Sequence, residues 1–431
     1  MISRWKSREH RPARPLSNWA IVQGAVIVFG ISAVAWTVLL WRYVGAGPGV
    51  ELDAVRAAGA LTVAAGGAAA LLLAARRQIH TERDSSEQRI TELYTRAVDQ
   101  LGAEKAPVRL GGLHALERLA QNNPSQRQTI VDVICSYLRM PYTPPDDQAP
   151  GEDASVDTHH RYEQRRQELQ VRLTAQRILT AHLQPEAEGA FWADVDLDLT
   201  GAHLYEFNLS YCHVRRVNFR GAEFAGDAKF TTAEFVGNAG FRDVKFTGAA
   251  LFRNAKFSGG AMFGGAEFAG TASFGEVKFA GYAGTVNIFM AAEFGDAKFT
   301  AGAIFNMAEF AWDVGFSKTT FGNHAKFEGT MFGRNAAFRG AEFVGNAEFR
   351  GAEFGGDAWF GDATFCGDPW FCNAMFTGIT KFDGARVASN SYYVALPTGW
   401  ITRAAQPAEG EQEGWLYVVR DEASSEQSTE A

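Results

Sequence analysis

Residues 224–246 read Phe224-Ala-Gly-Asp-Ala-Lys-Phe230-Thr-Thr-Ala-Glu-Phe235-Val-Gly-Asn-Ala-Gly-Phe241-Arg-Asp-Val-Lys-Phe246. Phe returns at alternating steps of six and five, and the beat continues through Phe252, Phe257, Phe263, Phe268, Phe274 and Phe279. Two positions before each ring stands a small residue: Ala228, Ala233, Ala239, Val244 and Ala250. Self-similarity at a fixed period decides the fold before any local propensity is weighed.

A right-handed coiled coil also has an eleven-residue period, but its apolar positions recur at steps of three and four. Here the small residue and the ring stand two apart, which a helix would place about 200° apart, on opposite faces. Gly, present in nearly every unit, and Phe are also poor helix formers. A transmembrane barrel needs strands of ~9–11 alternating residues, far more than one unit offers. A solenoid remains, in which a very short strand turns the small residue and the ring to one inner side and the chain then bends. The spacing leaves the number of bends per turn open.

The first part of the stretch, Leu199, Leu204, Leu209, Val214, Phe219 and Phe224, keeps strict five-residue steps. It resembles the pentapeptide-repeat family, whose unit has a central Leu or Phe and a small residue two positions earlier. The resemblance implies a right-handed quadrilateral β-helix over residues 190–388, with both residues inward. After Phe224 the alternation marks a Phe-rich variant with larger coils. Coils stacked about 4.8 Å apart would give a rod on the order of 40 Å long, stabilised by its neighbours because no coil buries its own faces.

One place breaks the rhythm. From Phe279 the beat passes through Gly284, Phe289 and Phe294 to Phe299, four steps of five that would shorten a coil by two residues. Gly281 to Asn287 replaces the usual motif. A tolerated bend is one reading; a local binding feature around Tyr282, within Gly281–Phe289, is the sharper one.

The 431 residues carry a net charge of −8 and show no basic patch interleaved with aromatics, which argues against nucleic-acid binding. Four scattered cysteines, Cys135, Cys212, Cys366 and Cys372, do not make a disulfide scaffold. Residues 1–17 form a basic tail. The uncharged run from Trp19 to Trp41 is long enough to span a bilayer, with Trp19, Trp36 and Trp41 suited to the interfaces, so a membrane helix is expected over 18–42. The Gly45, Gly47, Gly49 loop follows no strand and is no nucleotide motif. A second uncharged stretch, Ala57 to Ala75, predicts a second membrane helix over 57–76, where Gly59, Gly66 and Gly67 allow close packing. Basic flanks on both sides place both termini and the β-helix in the cytoplasm, making an inner-membrane protein with two spans.

Residues 77–141 read as a small juxtamembrane α-helical domain of three amphipathic helices. Their inner positions are Ile90, Leu93, Tyr94, Ala97, Val98 and Leu101; then Leu113, Leu116, Leu119 and Ala120; then Ile130, Val133, Ile134, Tyr137 and Leu138. Ser125 and Gln128 suggest a capping pair for the third. Residues 142–159 form a Pro/Asp/Gly-rich flexible linker. A helix over 160–184, with Val171, Ala175, Ile178 and Leu179 inward, would cover the first coil, since an open strand edge invites aggregation. Residues 389–431 would cap the last coil through Trp400, Trp415 and Tyr417 and end in an acidic disordered tail. Leu396-Pro397-Thr398-Gly399 lacks the variable residue of a sortase signal.

No constellation for chemistry emerges, so no catalytic, cofactor-binding or metal residue is assigned and no cofactor is expected. His159 and His160 read as solvated, and Cys366 and Cys372 lack zinc-site spacing. Glu223, Glu267, Glu309 and Glu353 would form outward ladders. The sequence thus points to a membrane-anchored, non-enzymatic scaffold or protein-interaction module with an unidentified protein partner and a capacity to homo-oligomerise. The alternative follows from the resemblance, because some soluble members mimic the DNA duplex and inhibit topoisomerases. Mimicry needs a strongly acidic face, and residues 199–387 hold about 17 Lys and Arg against about 19 Asp and Glu by count along the sequence.

Overall fold

The computed structural model describes residues 23, 30, 33, 34, 36–38, 41, 42, 48–146, 148–187, 189–281, 290–404 and 414–421. The chain forms two compact units, Met1–Glu92 and Leu93–Ala431. Helix α1, Pro48–Leu101, runs unbroken for 54 residues. The sequence reading separated an apolar span from an amphipathic helix here, but residues 76–89 hold neither Gly nor Pro, so nothing stops the helix. Among the described residues no helix is long and apolar enough to cross a membrane. The two expected spans therefore find no support here. The basic tail and most of 18–42 lie outside the described residues, as do many side chains of 57–76.

In the second unit, α1 ends before Gly102, and three helices follow: α2 (Ala106–Asn122), α3 (Arg127–Arg139) and α4 (Val156–Ala181). Their shared core contains the expected Leu113, Leu116, Leu119, Ala120, Ile130, Ile134, Tyr137 and Leu138, together with Val131. Of the stripe on α1, Ala97 and Leu101 are buried while Leu93 stays 47% exposed. Gly112 allows α2 to lie against α1, because a Cβ there would stand 2.8 Å from the Ala97 carbonyl oxygen. Helix α4 begins before the expected residue 160, since the Ser155 hydroxyl caps it by accepting from the Thr158 N–H. His159 and His160 are therefore helical rather than linker residues. Tyr142 of the connecting segment lies under Arg172, 4.4 Å from the guanidinium.

The rest of the unit is the β-helix. Four sheets run parallel along it: face I from Asp196–Asp198 to Thr380–Lys381, face II from His203–Tyr205 to Arg386–Ala388, face III from Ala228–Lys229 to Pro369–Trp370, and face IV from His213–Val214 to Met375–Phe376. Each ring stacks on its counterpart one coil away. Phe224 lies 4.8 Å from Phe246 at 9°, and Phe252 lies 4.8 Å from Phe274 at 3°. Opposite faces meet edge to face across the core, as Phe252 of face III and Phe263 of face I do at 5.5 Å and 89°. Among the described residues, the rings from Phe219 to Phe365 are almost wholly buried. Each is worth roughly 1.5–3 kcal/mol before chain entropy is counted.

The alternation of five and six has a cause in the corners. After faces I and III the chain turns in five residues, with a left-handed residue two after the ring and a hydrogen bond three residues on. Asp243 (φ 58) and Lys318 (φ 57) hold that position, and Ala255 N–H donates to Phe252 O. After faces II and IV the corner takes six residues and, where Gly fills it, lies close to the adjacent coil: a Cβ on Gly248 would stand 2.5 Å from the Gly226 carbonyl, whereas Ala301, Trp312, Asn323 and Arg334 take the same place elsewhere. Asn and Asp side chains satisfy the amides of these corners in series. Asn335 N–H donates to Asp313 Oδ1, Asp357 N–H to Asn335 Oδ1 and Ile379 N–H to Asp357 Oδ1.

The broken rhythm resolves differently from the sequence reading. Corresponding residues are normally 22 apart (Asn335 and Asp357), but across this coil they are 31 apart (Lys278 and Glu309). The coil thus gains nine residues instead of losing two. All nine enter at the corner between Phe279 on face IV and Phe294 on face I. Gly284 and Phe289, read as rungs, lie outside the described residues, as does Tyr282. The ladder passes over the insertion undisturbed: Phe263 meets Phe294 at 4.8 Å and 2°, and Phe279 meets Phe310 at 4.7 Å and 4°.

Both ends of the β-helix are dressed. At the first coil, Gln128 of α3 donates to Asp196 O (3.0 Å) and accepts from Asp196 N–H (2.9 Å). Gln176 of α4 does the same to Tyr205, at 2.8 and 3.1 Å. Each side-chain amide replaces the peptide of a missing coil. Gln128 therefore serves the strand edge, and no side chain caps α3 in the way its Ser125 pair suggested. At the far end Trp400–Arg403 and Trp415–Arg420 pair antiparallel and extend face II. The expected acidic tail, 422–431, lies outside the described residues.

Candidate interaction surfaces

With ring and small residue inside, the residue between them faces out, and stacking lines these positions into columns. Face II presents Glu223, Lys245, Glu267, Lys298, Thr320 and Glu342 in succession. Face IV presents Glu234, Lys256, Lys278, Glu309, Met331 and Glu353. Opposite charges on adjacent coils pair: Lys256 with Glu234 at 3.5 Å, Lys278 with Glu309 at 3.0 Å and Lys298 with Glu267 at 3.6 Å. Exposed pairs add ~0–1 kcal/mol each, but they neutralise the faces locally. The expected Glu ladders are therefore interleaved with lysine, and among the described residues no face is wholly acidic.

Faces I and III are flatter. Face I presents Gly240, Met262, Glu293, Gly315, Ala337 and Trp359; face III presents Leu251, Ser273, Ile304, Lys326, Glu348 and Trp370. All five tryptophans after Phe279 carry an arginine over the ring. Arg334 lies 4.1 Å above Trp312, Arg339 4.9 Å above Trp359 and Arg350 4.4 Å above Trp370. Arg386 covers Trp415 and Arg420 covers Trp400, at 4.6 and 4.8 Å. The sequence reading missed these pairs. Their signal was the constant offset, with Arg 20 residues before Trp359 and before Trp370.

The polar groups of the cap are committed to one another. His182 stacks on Trp192 at 4.0 Å and 3°, with Nδ1 2.7 Å from Ala190 O and Nε2 2.9 Å from Glu117 Oε1. Burial alone would raise the Glu117 pKa, but hydrogen bonds from His114 and His182 outweigh it and hold the carboxyl below its ordinary value. Asp196 behaves likewise: desolvation is outweighed by Arg216 and Arg215, which both grip its carboxylate. A cavity of about 650 Å³ between the end of α1 and helices α2 to α4 has Arg109, Arg172, Glu168 and Tyr137 in its wall. Glu168 accepts from Arg109, Arg172 and Tyr137 together, each at 2.9 Å, so its charge is already matched.

His160 lies on α4, with a ring nitrogen 2.9 Å from Gln164 Nε2, and the structure does not bring it together with acids or thiols. Among the described residues no three His, Cys, Asp or Glu gather as a metal site would need. Burial pushes the Cys135 and Cys212 thiols up to about 12, the opposite of an activated nucleophile.

Residues 230–278, 327–368 and 338–386 match the family described as Pentapeptide repeats (9 copies). No curated protein and no solved structure matches the chain.

Proposed function

Starting from a C-terminal region made of pentapeptide repeats in a Phe-rich form, we propose that the protein is a non-enzymatic interaction module tethered to the inner face of a cell membrane. The observation that supports the module is the commitment of its polar groups. Three Lys–Glu pairs join outward charges between coils of faces II and IV, while the cap's ionisable groups pair with each other. What the molecule then presents is a set of rigid, regular, locally neutral faces, which suit a protein partner. The tether rests on the apolar runs Trp19–Trp41 and Ala57–Ala75 and their basic flanks; the helical segment beside it would set height and association of copies.

Two experiments test this reading. The full chain expressed in cells should resist extraction of its membranes with alkaline carbonate, and a C-terminal reporter active only outside the cell should stay silent. Release into the soluble fraction, or an active reporter, overturns the tether. Cross-linking in intact cells should capture a defined protein set that variants of the outer columns change; capture no different from an unrelated membrane protein overturns the module. Duplex mimicry is not favoured, because lysines are interspersed with the glutamates along the columns that would have to imitate phosphates.

A further inference from the structure

The arginines of the β-helix divide by position. In the early coils, Arg215, Arg216, Arg220, Arg242 and Arg253 each meet a carboxylate. Arg334 and Arg339 are exposed and meet none: among the described residues their contact is the indole face beneath each guanidinium. An indole face holds a guanidinium by its π-cloud and leaves the in-plane N–H fork free, the geometry that grips a carboxylate with two bonds.

Both arginines leave the same coil on either side of the strand Ala336–Ala337 on face I. Arg334 reaches back one coil to Trp312, and Arg339 reaches forward one coil to Trp359. Between them Ala337 offers only a methyl group, while its in-register neighbour Gly315 is buried beneath the Met290 side chain, whose methyl lies 2.8 Å from where a Cβ on Gly315 would stand. Asp313 and Asp357 at the adjoining corner already accept backbone N–H groups. The guanidiniums lie over tryptophans two coils apart, which separates them by about 10 Å along the axis.

We propose that this shelf on face I docks an extended acidic segment of a partner protein, with carboxylates four or five residues apart seated in the Arg334 and Arg339 forks. The methyl group of Ala337 lets the backbone of the segment lie close there, and the two braced forks fix its register. The spacing is too wide for one phosphate or one lipid headgroup to bridge. This assignment rests on the interaction-module reading and names the surface and the chemistry of the partner.

The test uses the purified full chain and fluorescein-labelled peptides of about ten residues with two Glu placed five apart, against the same peptides with Gln. Anisotropy should show binding of the Glu peptide that weakens with salt, and a loss of at least about tenfold in R334Q/R339Q. Arg334→Lys should recover little, because an ammonium lacks the fork. Circular dichroism and the melting temperature of the variants should match the wild type, since both side chains lie outside. Equal binding by wild type and R334Q/R339Q, no binding by either, or binding of anionic vesicles in place of the peptide overturns the assignment. Cross-linking separates the two readings: if R334Q/R339Q keeps the wild-type partner set, face I falls and the module stands. If the wild type has no partner set, the module falls.

Discussion

Replacing Gln176 tests the idea that a side-chain amide stands in for an absent coil. Gln176 is 5% exposed and satisfies both backbone groups of Tyr205, at 2.8 and 3.1 Å. Gln176→Ala leaves a donor and an acceptor without partners, and each orphaned buried group costs about 1–3 kcal/mol. Water reaching the edge would soften this, so a loss of about 2–4 kcal/mol is expected, concentrated at the cap. Gln176→Glu should be at least as harmful at neutral pH, because a carboxylate can accept from Tyr205 N–H but sets a second oxygen against Tyr205 O. Desolvation raises the folded pKa of such a carboxyl, so its deficit should shrink as the pH falls and the protonated acid donates. Hydrogen exchange read by mass spectrometry over residues 171–205, with urea titration of the whole chain, measures both changes. A Gln176→Ala cost below about 0.5 kcal/mol, or a glutamate variant as stable as wild type at pH 7, would refute the reasoning.

Other expectations follow from the same geometry. Phe305→Ala removes a ring stacked on Phe274 at 4.8 Å and on Phe327 at 4.9 Å; the hydrogen-bonded coils cannot close around the hole, so urea unfolding should show a loss near 4–5 kcal/mol. Glu117 and Asp196 both titrate below their ordinary values in the folded state. Such groups contribute stability that is complete above about pH 5 and is lost as acid approaches their folded pKa. The protection of cap amides, once corrected for the pH dependence of intrinsic exchange, should therefore fall on acidification, and Glu117→Gln should flatten that dependence. In the native protein maleimide should label the half-exposed Cys366 and Cys372 first, and Cys135 and Cys212 only on unfolding; early labelling of Cys135 would contradict its burial.

Much of the β-helix was legible in the residues, because one ring and one small residue per face repeat without exception over long stretches. The five and six alternation was visible, but its cause was not: left-handed positions are filled by Asp243, Asn254, Met307 and Lys318 as readily as by Gly. The misread coil shows a second limit. Gly284 and Phe289 fall by chance on the five-residue beat, and only pairing of Phe263 with Phe294 reveals that the ladder skips them. The cap escaped for a different reason. Gln128 and Gln176 act through the distant backbone of Asp196 and Tyr205, a relation no local pattern encodes. Face I was hidden similarly, since an arginine over a tryptophan is a neighbour only after coiling.

The nine added residues between Phe279 and Phe294 carry a lesson for building with this chain. Rings above and below them remain parallel within a few degrees, so the core does not register how much polypeptide leaves and re-enters at that edge. Closing a longer excursion costs only slowly increasing entropy, about 0.6 kcal/mol for each doubling. That corner is a ready-made graft point: an epitope, a protease site or a whole small domain spliced there should leave the melting of the rod nearly unchanged.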